Sequence, residues 1–274
     1  MPWCSLTSGE RLWYEEAGGG DCLILLHGWS MSSDIWKFQL ESLSRQFCVI
    51  APDLRGHGRS DKCLSGYSFD AFAADVALLV EKSGARRVVL LGWSMGAEIA
   101  LMASRLLGEQ LRGLVLVSGT PCFSARDGFP YALPKVEADG MALKVRRNVA
   151  RALEGFKSQM FAEGELETCA AADSIREMLA GLKCPDRDVA LASLATLSDG
   201  DLRGMLHEVS VPALVVNGEM DRICLPEASA YLHANLCNSI HQQFLGCGHA
   251  PFLSRKDEFD TCIIDFCRRS LERC

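Results

Sequence analysis

Five short runs that are apolar at almost every position recur along the chain: Cys22-Leu23-Ile24-Leu25-Leu26, Phe47-Cys48-Val49-Ile50-Ala51, Arg87 to Leu91, Leu114-Val115-Leu116-Val117 and Ala213-Leu214-Val215-Val216. A strand with one wet face alternates apolar and polar residues. A strand that does not alternate is covered on both faces, the condition of a parallel strand between two helical layers. Phe69 to Lys82 and Met95 to Leu107 carry apolar residues at helical spacing and stop near Gly84 and Gly108, where a helix can end. The alternation implies an α/β fold with a mostly parallel central sheet and helices on both faces.

That rhythm stops between about Pro121 and Val209. Val136 to Met160, Leu166 to Leu182 and Asp188 to Leu197 read as helices with no strand among them. Val211-Pro212-Ala213 then restarts the sheet. A helix over Pro226 to Leu236, a strand over Ile240 to Leu245 and a last helix from Lys256 to Leu271 follow. The economical division is a core of residues 1–120 and 211–274, with an all-helical lid insertion over 121–210.

The bulk numbers exclude several functions. The 274 residues are 49% hydrophobic and 23% charged, enough to bury a large core. A formal net charge of -7, with no long basic block, repels a phosphate backbone, so nucleic acid is not expected as a partner. No leader pattern and no bilayer-length apolar run is present, so a cytoplasmic protein, away from the membrane, is expected. The 13 cysteines form no C-x-x-C, and Cys22, Cys48 and Cys224 lie in or beside apolar runs; reduced, mostly buried thiols are expected. Without paired cysteines or H-E-x-x-H, no zinc site is expected.

The chemistry sits at loops. Gly92-Trp93-Ser94-Met95-Gly96 fits G-x-S-x-G, between a strand and a helix as that motif requires. The serine would stand at a sharp turn, with Trp93 buttressing it and the positive end of a helix beyond. A base for Ser94 is found in Gly246-Cys247-Gly248-His249-Ala250-Pro251-Phe252, where glycines and a proline hold His249 on a loop. His207, His233 and His241 read as surface histidines. The orienting acid belongs between them, after a strand. Val215-Val216-Asn217-Gly218-Glu219-Met220-Asp221 offers Asp221, with Glu219 as its rival closer to the strand. Asp199 and Asp201 read as caps or braces of the insertion.

Acyl transfer also needs backbone donors for the oxyanion, worth about 3 kcal/mol each in the transition state. Trp29, in His27-Gly28-Trp29, and Met95, next to the nucleophile, are the candidates, with His27 bracing its loop. The glycine-rich Asp53-Leu54-Arg55-Gly56-His57-Gly58-Arg59-Ser60 lacks G-x-x-x-x-G-K-[ST], so it reads as a tight turn rather than a phosphate cradle.

Taken together in order, HGW, DLRGHGRSD, GWSMG, an acid after a late strand and GHAPF resemble the α/β-hydrolase superfamily over nearly the whole chain. Ser118-Gly119-Thr120-Pro121-Cys122-Phe123-Ser124-Ala125-Arg126-Asp127 narrows the likeness. With this PCFSARD segment the chain resembles the pimeloyl-acyl-carrier-protein methyl ester esterases of biotin synthesis. The resemblance implies a cofactor-free serine carboxylesterase that removes a methyl group from a carrier-bound dicarboxylic acyl chain. It implies Ser94 as nucleophile, His249 as base then acid and Asp221 as orienter. Trp29 and Met95 match its substrate and oxyanion positions. Its phenylalanine-to-glutamine stretch is best matched by Phe156-Lys157-Ser158-Gln159-Met160, so that Phe156, Gln159 and Met160 would lie against the acyl chain.

An acyl-carrier protein, being acidic, would dock on local positive charge. Residues 135–157 hold Lys135, Lys144, Arg146, Arg147, Arg151 and Lys157 against Glu137, Asp139 and Glu154, and Arg146, Arg147, Arg151 and Lys157 are the candidate docking residues. Where the family carries further arginines, this chain has Glu163, Glu165 and Glu167, and Arg176 remains. Rival functions are a broad short-chain carboxylesterase, a carbon-carbon bond hydrolase of the same superfamily and a ligand receptor with a slow triad. A dehalogenase would need aspartate in place of Ser94. A monomer is expected.

Overall fold

A computed structural model describes residues 3–272. Eight strands form one sheet: β1 (Trp3–Ser5), β2 (Arg11–Ala17), β3 (Cys22–Leu26), β4 (Cys48–Pro52), β5 (Val88–Trp93), β6 (Leu111–Val117), β7 (Ala213–Gly218) and β8 (Ser239–Phe244). Their spatial order is β1-β2-β4-β3-β5-β6-β7-β8, parallel from β4 onwards and antiparallel where β2 meets β1 and β4. The helices are α1 (Lys37–Leu43), α2 (Phe69–Ser83), α3 (Met95–Leu107), α4 (Lys135–Arg147), α5 (Val149–Ser158), α6 (Ala172–Gly181), α7 (Arg187–Asp199), α8 (Pro226–Asn235), α9 (Pro251–Ser254) and α10 (Lys256–Leu271).

The non-alternating runs are the centre of this sheet. Every residue of β3, β5 and β7 is buried, because helices cover both faces. The edge strand β8 instead mixes exposed and partly buried positions. The sequence pattern misses β1 and β2, since Arg11–Ala17 lies near the other edge and buries only Leu12 fully. α2 is bounded as its residues require: the Ser68 hydroxyl accepts the Ala71 N–H, and Gly84 ends the helix at φ 70°, a left-handed conformation that favours glycine.

Two helices of the segment between β6 and β7 differ from expectation. The single helix over Val136 to Met160 is two, because Asn148 turns extended (φ -162°) and its side chain caps α5 by accepting the Arg151 N–H. Leu166 to Leu182 is also broken. A 3₁₀ turn spans Glu165–Glu167 and α6 begins only at Ala172, since the Glu165 carboxylate folds back onto the Ala162 N–H.

Candidate active site

Ser94 joins β5 to α3 at φ 54° and ψ -124°, a conformation costly for a residue with a side chain. The strand and helix can meet there only because two neighbours lack Cβ atoms. A Cβ on Gly92 would come within 2.0 Å of the Gly96 carbonyl oxygen, and one on Gly96 within 2.2 Å of the Leu26 carbonyl oxygen. The glycines of the motif are thus required by close backbone approach; the positive φ belongs to the serine itself. The Ser94 N–H donates to Val117 O at 2.9 Å, locking the turn to β6.

Asp221 stands beyond the end of β7. Its Oδ1 accepts the Ile223 and Cys224 N–H groups at 2.8 and 3.1 Å, and its Oδ2 lies 2.8 Å from His249 Nδ1. Both side chains are wholly buried. With a carboxylate as acceptor, Nδ1 carries the proton and Nε2 keeps its lone pair. Nε2 is buried and accepts no hydrogen bond from the protein. Glu219 is elsewhere: its carboxylate accepts the Gly246 N–H at 3.0 Å.

The His249 peptide is held from two sides. Trp93 Nε1 donates to the His249 carbonyl at 2.8 Å, and the His249 N–H donates to the Met160 carbonyl at 2.7 Å. The Trp93 ring centroid is 5.3 Å from that of His249. Trp93 therefore supports both the serine turn and the histidine loop.

The HGW loop lies against the serine. A Cβ on Gly28 would sit 3.2 Å from Ser94 Cβ. His27 braces this loop, its Nδ1–H donating to Gly28 O at 2.8 Å while Nε2 accepts the Leu54 N–H at 3.0 Å; burial lowers its pKa. The Asp53–Ser60 loop is the buttress behind it. Asp53 accepts the Ser33 and Arg59 N–H groups, both at 2.7 Å, and Arg55 pairs with Asp75 at 2.5 Å. Burial, reinforced by His27, pushes His57 down to about 3.

The insertion delivers residues to the same place. Trp29 Nε1 donates to Ala190 O of α7 at 2.9 Å, and its ring meets Phe156 of α5 edge-on at 5.4 Å. Phe156 in turn lies 6.4 Å from His249, centroid to centroid. A groove of about 480 Å³ runs between α4 and α5, lined by Met141, Lys144, Arg147, Arg151, Phe156 and Gln159 among others. Three of the sequence-selected residues lie outside the lining of this groove. Met160 is fully buried and outside the groove lining, and its carbonyl accepts the His249 N–H. Lys157 does not line the groove; its ammonium donates to Leu179 O at 2.7 Å and Glu154 at 2.9 Å, and its side chain is 12% exposed. Arg146 is exposed, outside the groove lining.

Sequence reasoning passed over Glu98, and it read Cys224 only as a buried thiol and Glu165 only as one acid of an acidic stretch, without placing either at the site. Cys224 is wholly buried beside Ser94, and burial pushes its thiol well above the usual range, so it stays un-ionised next to the serine. Glu98, one helical turn after Ser94, is also wholly buried, and burial raises its carboxyl strongly. The only signal for either was an ionisable residue within an apolar stretch. Among the described residues no cluster of His, Cys, Asp or Glu could hold a metal ion, and no helix is long and apolar enough to cross a membrane.

Residues 21–256 match the family described as alpha/beta hydrolase fold. A protein of Nitrosomonas europaea is 31% identical over 91% of this chain and 96% of its own; one of Yersinia enterocolitica is 30% identical over 95% and 99%. Both are named pimeloyl-[acyl-carrier protein] methyl ester esterase. The solved structure of an esterase from Exiguobacterium antarcticum superposes with a TM-score of 0.88 at 27% identity, covering 97% of this chain and 98% of its own. The chain belongs to the α/β-hydrolase family, in the branch whose curated members bear the name pimeloyl-[acyl-carrier protein] methyl ester esterase.

Proposed function

We propose that this chain is a serine carboxylesterase that hydrolyses the methyl ester of pimeloyl-[acyl-carrier protein], releasing methanol. His249 Nε2 takes the Ser94 proton as Oγ attacks the ester carbonyl. Asp221 keeps the imidazole in the required tautomer and stabilises the imidazolium that forms. The N–H groups of Met95 and Trp29 receive the oxyanion. Imidazolium protonates the departing methanol, and water, activated by the same histidine, then frees the acyl chain from Ser94.

The observation that carries the substrate assignment is the groove between α4 and α5, read beside the names of the relatives. Its outer part presents Lys144, Arg147 and Arg151, and it is lined also by Phe156, the ring that packs on Trp29 near His249. Cations outside and an aromatic wall within suit an acyl chain carried by an acidic protein. Residues 121–210 are the lid in this reading, with Phe156 and Gln159 against the chain. Lys157, engaged by Leu179 and Glu154, is set aside from docking.

Hydrolysis rates on methyl pimeloyl carrier protein, the free methyl ester and a short aryl ester test the assignment. The carrier-bound ester is expected to have the highest kcat/KM. A preference for the aryl ester by orders of magnitude would make the chain a broad esterase. Arg147→Glu with Arg151→Glu is expected to raise KM for the carrier-bound ester about tenfold, roughly 1.4 kcal/mol, while leaving the aryl ester unchanged. Rescue of a biotin-requiring strain by the parent chain but not by Ser94→Ala would place the activity in the cell.

A further inference from the structure

Glu165 is a buried carboxylate of the insertion, 9% exposed, whose hydrogen-bond partners are uncharged donors from two distant parts of the chain. One oxygen accepts the Ala162 N–H of its own turn at 2.6 Å and the Gly248 N–H at 2.8 Å; the other accepts the Ser254 hydroxyl of α9. A carboxylate brings two oxygens and no donor, so it can gather several N–H and O–H groups that could not bond to one another. Here it gathers the insertion, the loop before His249 and the helix after it.

The location of these bonds gives them their importance. Gly248 and His249 are consecutive, and both of their N–H groups are received by the insertion, one by Glu165 Oε2 and the next by the Met160 carbonyl. The fit is close: a Cβ on Gly248 would lie 2.7 Å from Met160 O and 2.8 Å from Ala162 N. From the core, the loop receives the Trp93 indole N–H on its His249 carbonyl. Asp221 fixes the rotation of the imidazole ring, but where the ring stands relative to Ser94 follows from its backbone, and the backbone is seated on the insertion.

We propose that Glu165 is a positioning residue for the base: it fastens the insertion to the His249 loop, so the reactive geometry exists only while this edge of the insertion is seated. The inference rests on the assignment of His249 as the base. A cleft of about 240 Å³ opens at the same seam, lined by Glu163, Glu165, Cys247, Ser254 and Arg255 among others. Beside this cleft the attachment is made by the hydrogen bonds of Glu165 together with the Met160 carbonyl that receives the His249 N–H.

The test is steady-state hydrolysis of p-nitrophenyl butyrate by the full chain, with thermal unfolding measured on every variant. A displacement of the base by an ångström costs about 100-fold, so Glu165→Ala is expected to lower kcat roughly 10- to 100-fold with KM within about twofold of the parent. Glu165→Gln is expected to restore kcat. Its amide oxygen can accept both N–H groups while its NH₂ donates to the Ser254 oxygen. Glu165→Asp, which keeps the charge but shortens the reach, is expected to stay low, and this pair decides the matter if the alanine variant does not fold. Full kcat in Glu165→Ala, or in both Asp and Gln variants, would overturn the proposal. So would a loss in Glu165→Gln as large as in Glu165→Ala. His249→Ala is the separate control: if it retains turnover, the assignment of the base fails, whereas its inactivity beside an active Glu165→Ala rejects the latch alone.

Discussion

Ser94 and His249 are fixed by different parts of the molecule. The serine is set by the core: Val117 receives its N–H, and its turn is pressed between β5, α3 and the Leu26 carbonyl. The histidine is set by the core on one side, through Trp93, and by the insertion on the other, through Met160 and Glu165. The difference is that the His249 loop is bonded to the segment between β6 and β7, whereas the Ser94 turn is bonded to the sheet. Substitutions on the serine side should act on chemistry alone, whereas substitutions on the histidine side should act through placement.

The largest expected effect is on the serine side. Ser94→Ala should lower kcat for any ester by about 10⁶-fold, leaving only what binding and the oxyanion donors provide, with the unfolding temperature little changed, since alanine keeps the Cβ that makes the positive φ costly. Retained turnover would refer the chemistry to another nucleophile. Asp221→Asn comes next, at about 10⁴-fold in kcat, because the amide can hold the imidazole in the wrong tautomer; activity that returns at high pH would point to a different acid.

Trp93→Phe tests the junction between the two regions. It leaves the His249 carbonyl without its buried donor, a loss of about 1–3 kcal/mol, and both kcat and stability should fall, kcat by about tenfold. If only stability falls, the insertion alone places the base. The smallest effect is on pH dependence. His57 is neutral when folded, with a pKa of about 3, but takes up a proton near pH 6.5 when unfolded. Between those values the unfolded chain binds more protons, so stability falls as pH falls, by at most about 1.4 kcal/mol per unit from this group. His27, also lowered by burial, adds to the same trend. Denaturant titrations from pH 7 to pH 4 should show a shallower slope in His57→Gln than in the parent.

The legible parts of the sequence were those whose local pattern and tertiary fate agree. Cys22–Leu26 and Met95–Leu107 are bounded in the structure as the pattern draws them, since a run apolar throughout has one place to go in such a sheet. The placement of Ser94, Asp221 and His249 on loops after strands was readable because each follows a recognisable strand. Asn148 was not read as a break, because asparagine is tolerated within a helix and its capping role shows only in the backbone. β2 was hidden by its mixed exposure. Glu165 looked like one acid in an acidic stretch; its decisive partners lie 83 and 89 residues away, and no spacing rule reaches that far.

The indole bond from Trp93 to His249 spans 156 residues, and its length along the chain has a consequence for synthesis. A chain built from its N-terminus makes the strand and helix that flank Ser94 well before it makes the loop that carries His249. Contacts of such separation close late, after the intervening elements have been laid down. A nascent or truncated chain that ends before β8 carries Ser94 without His249, and the two cannot be brought together until residues 239–249 have been made.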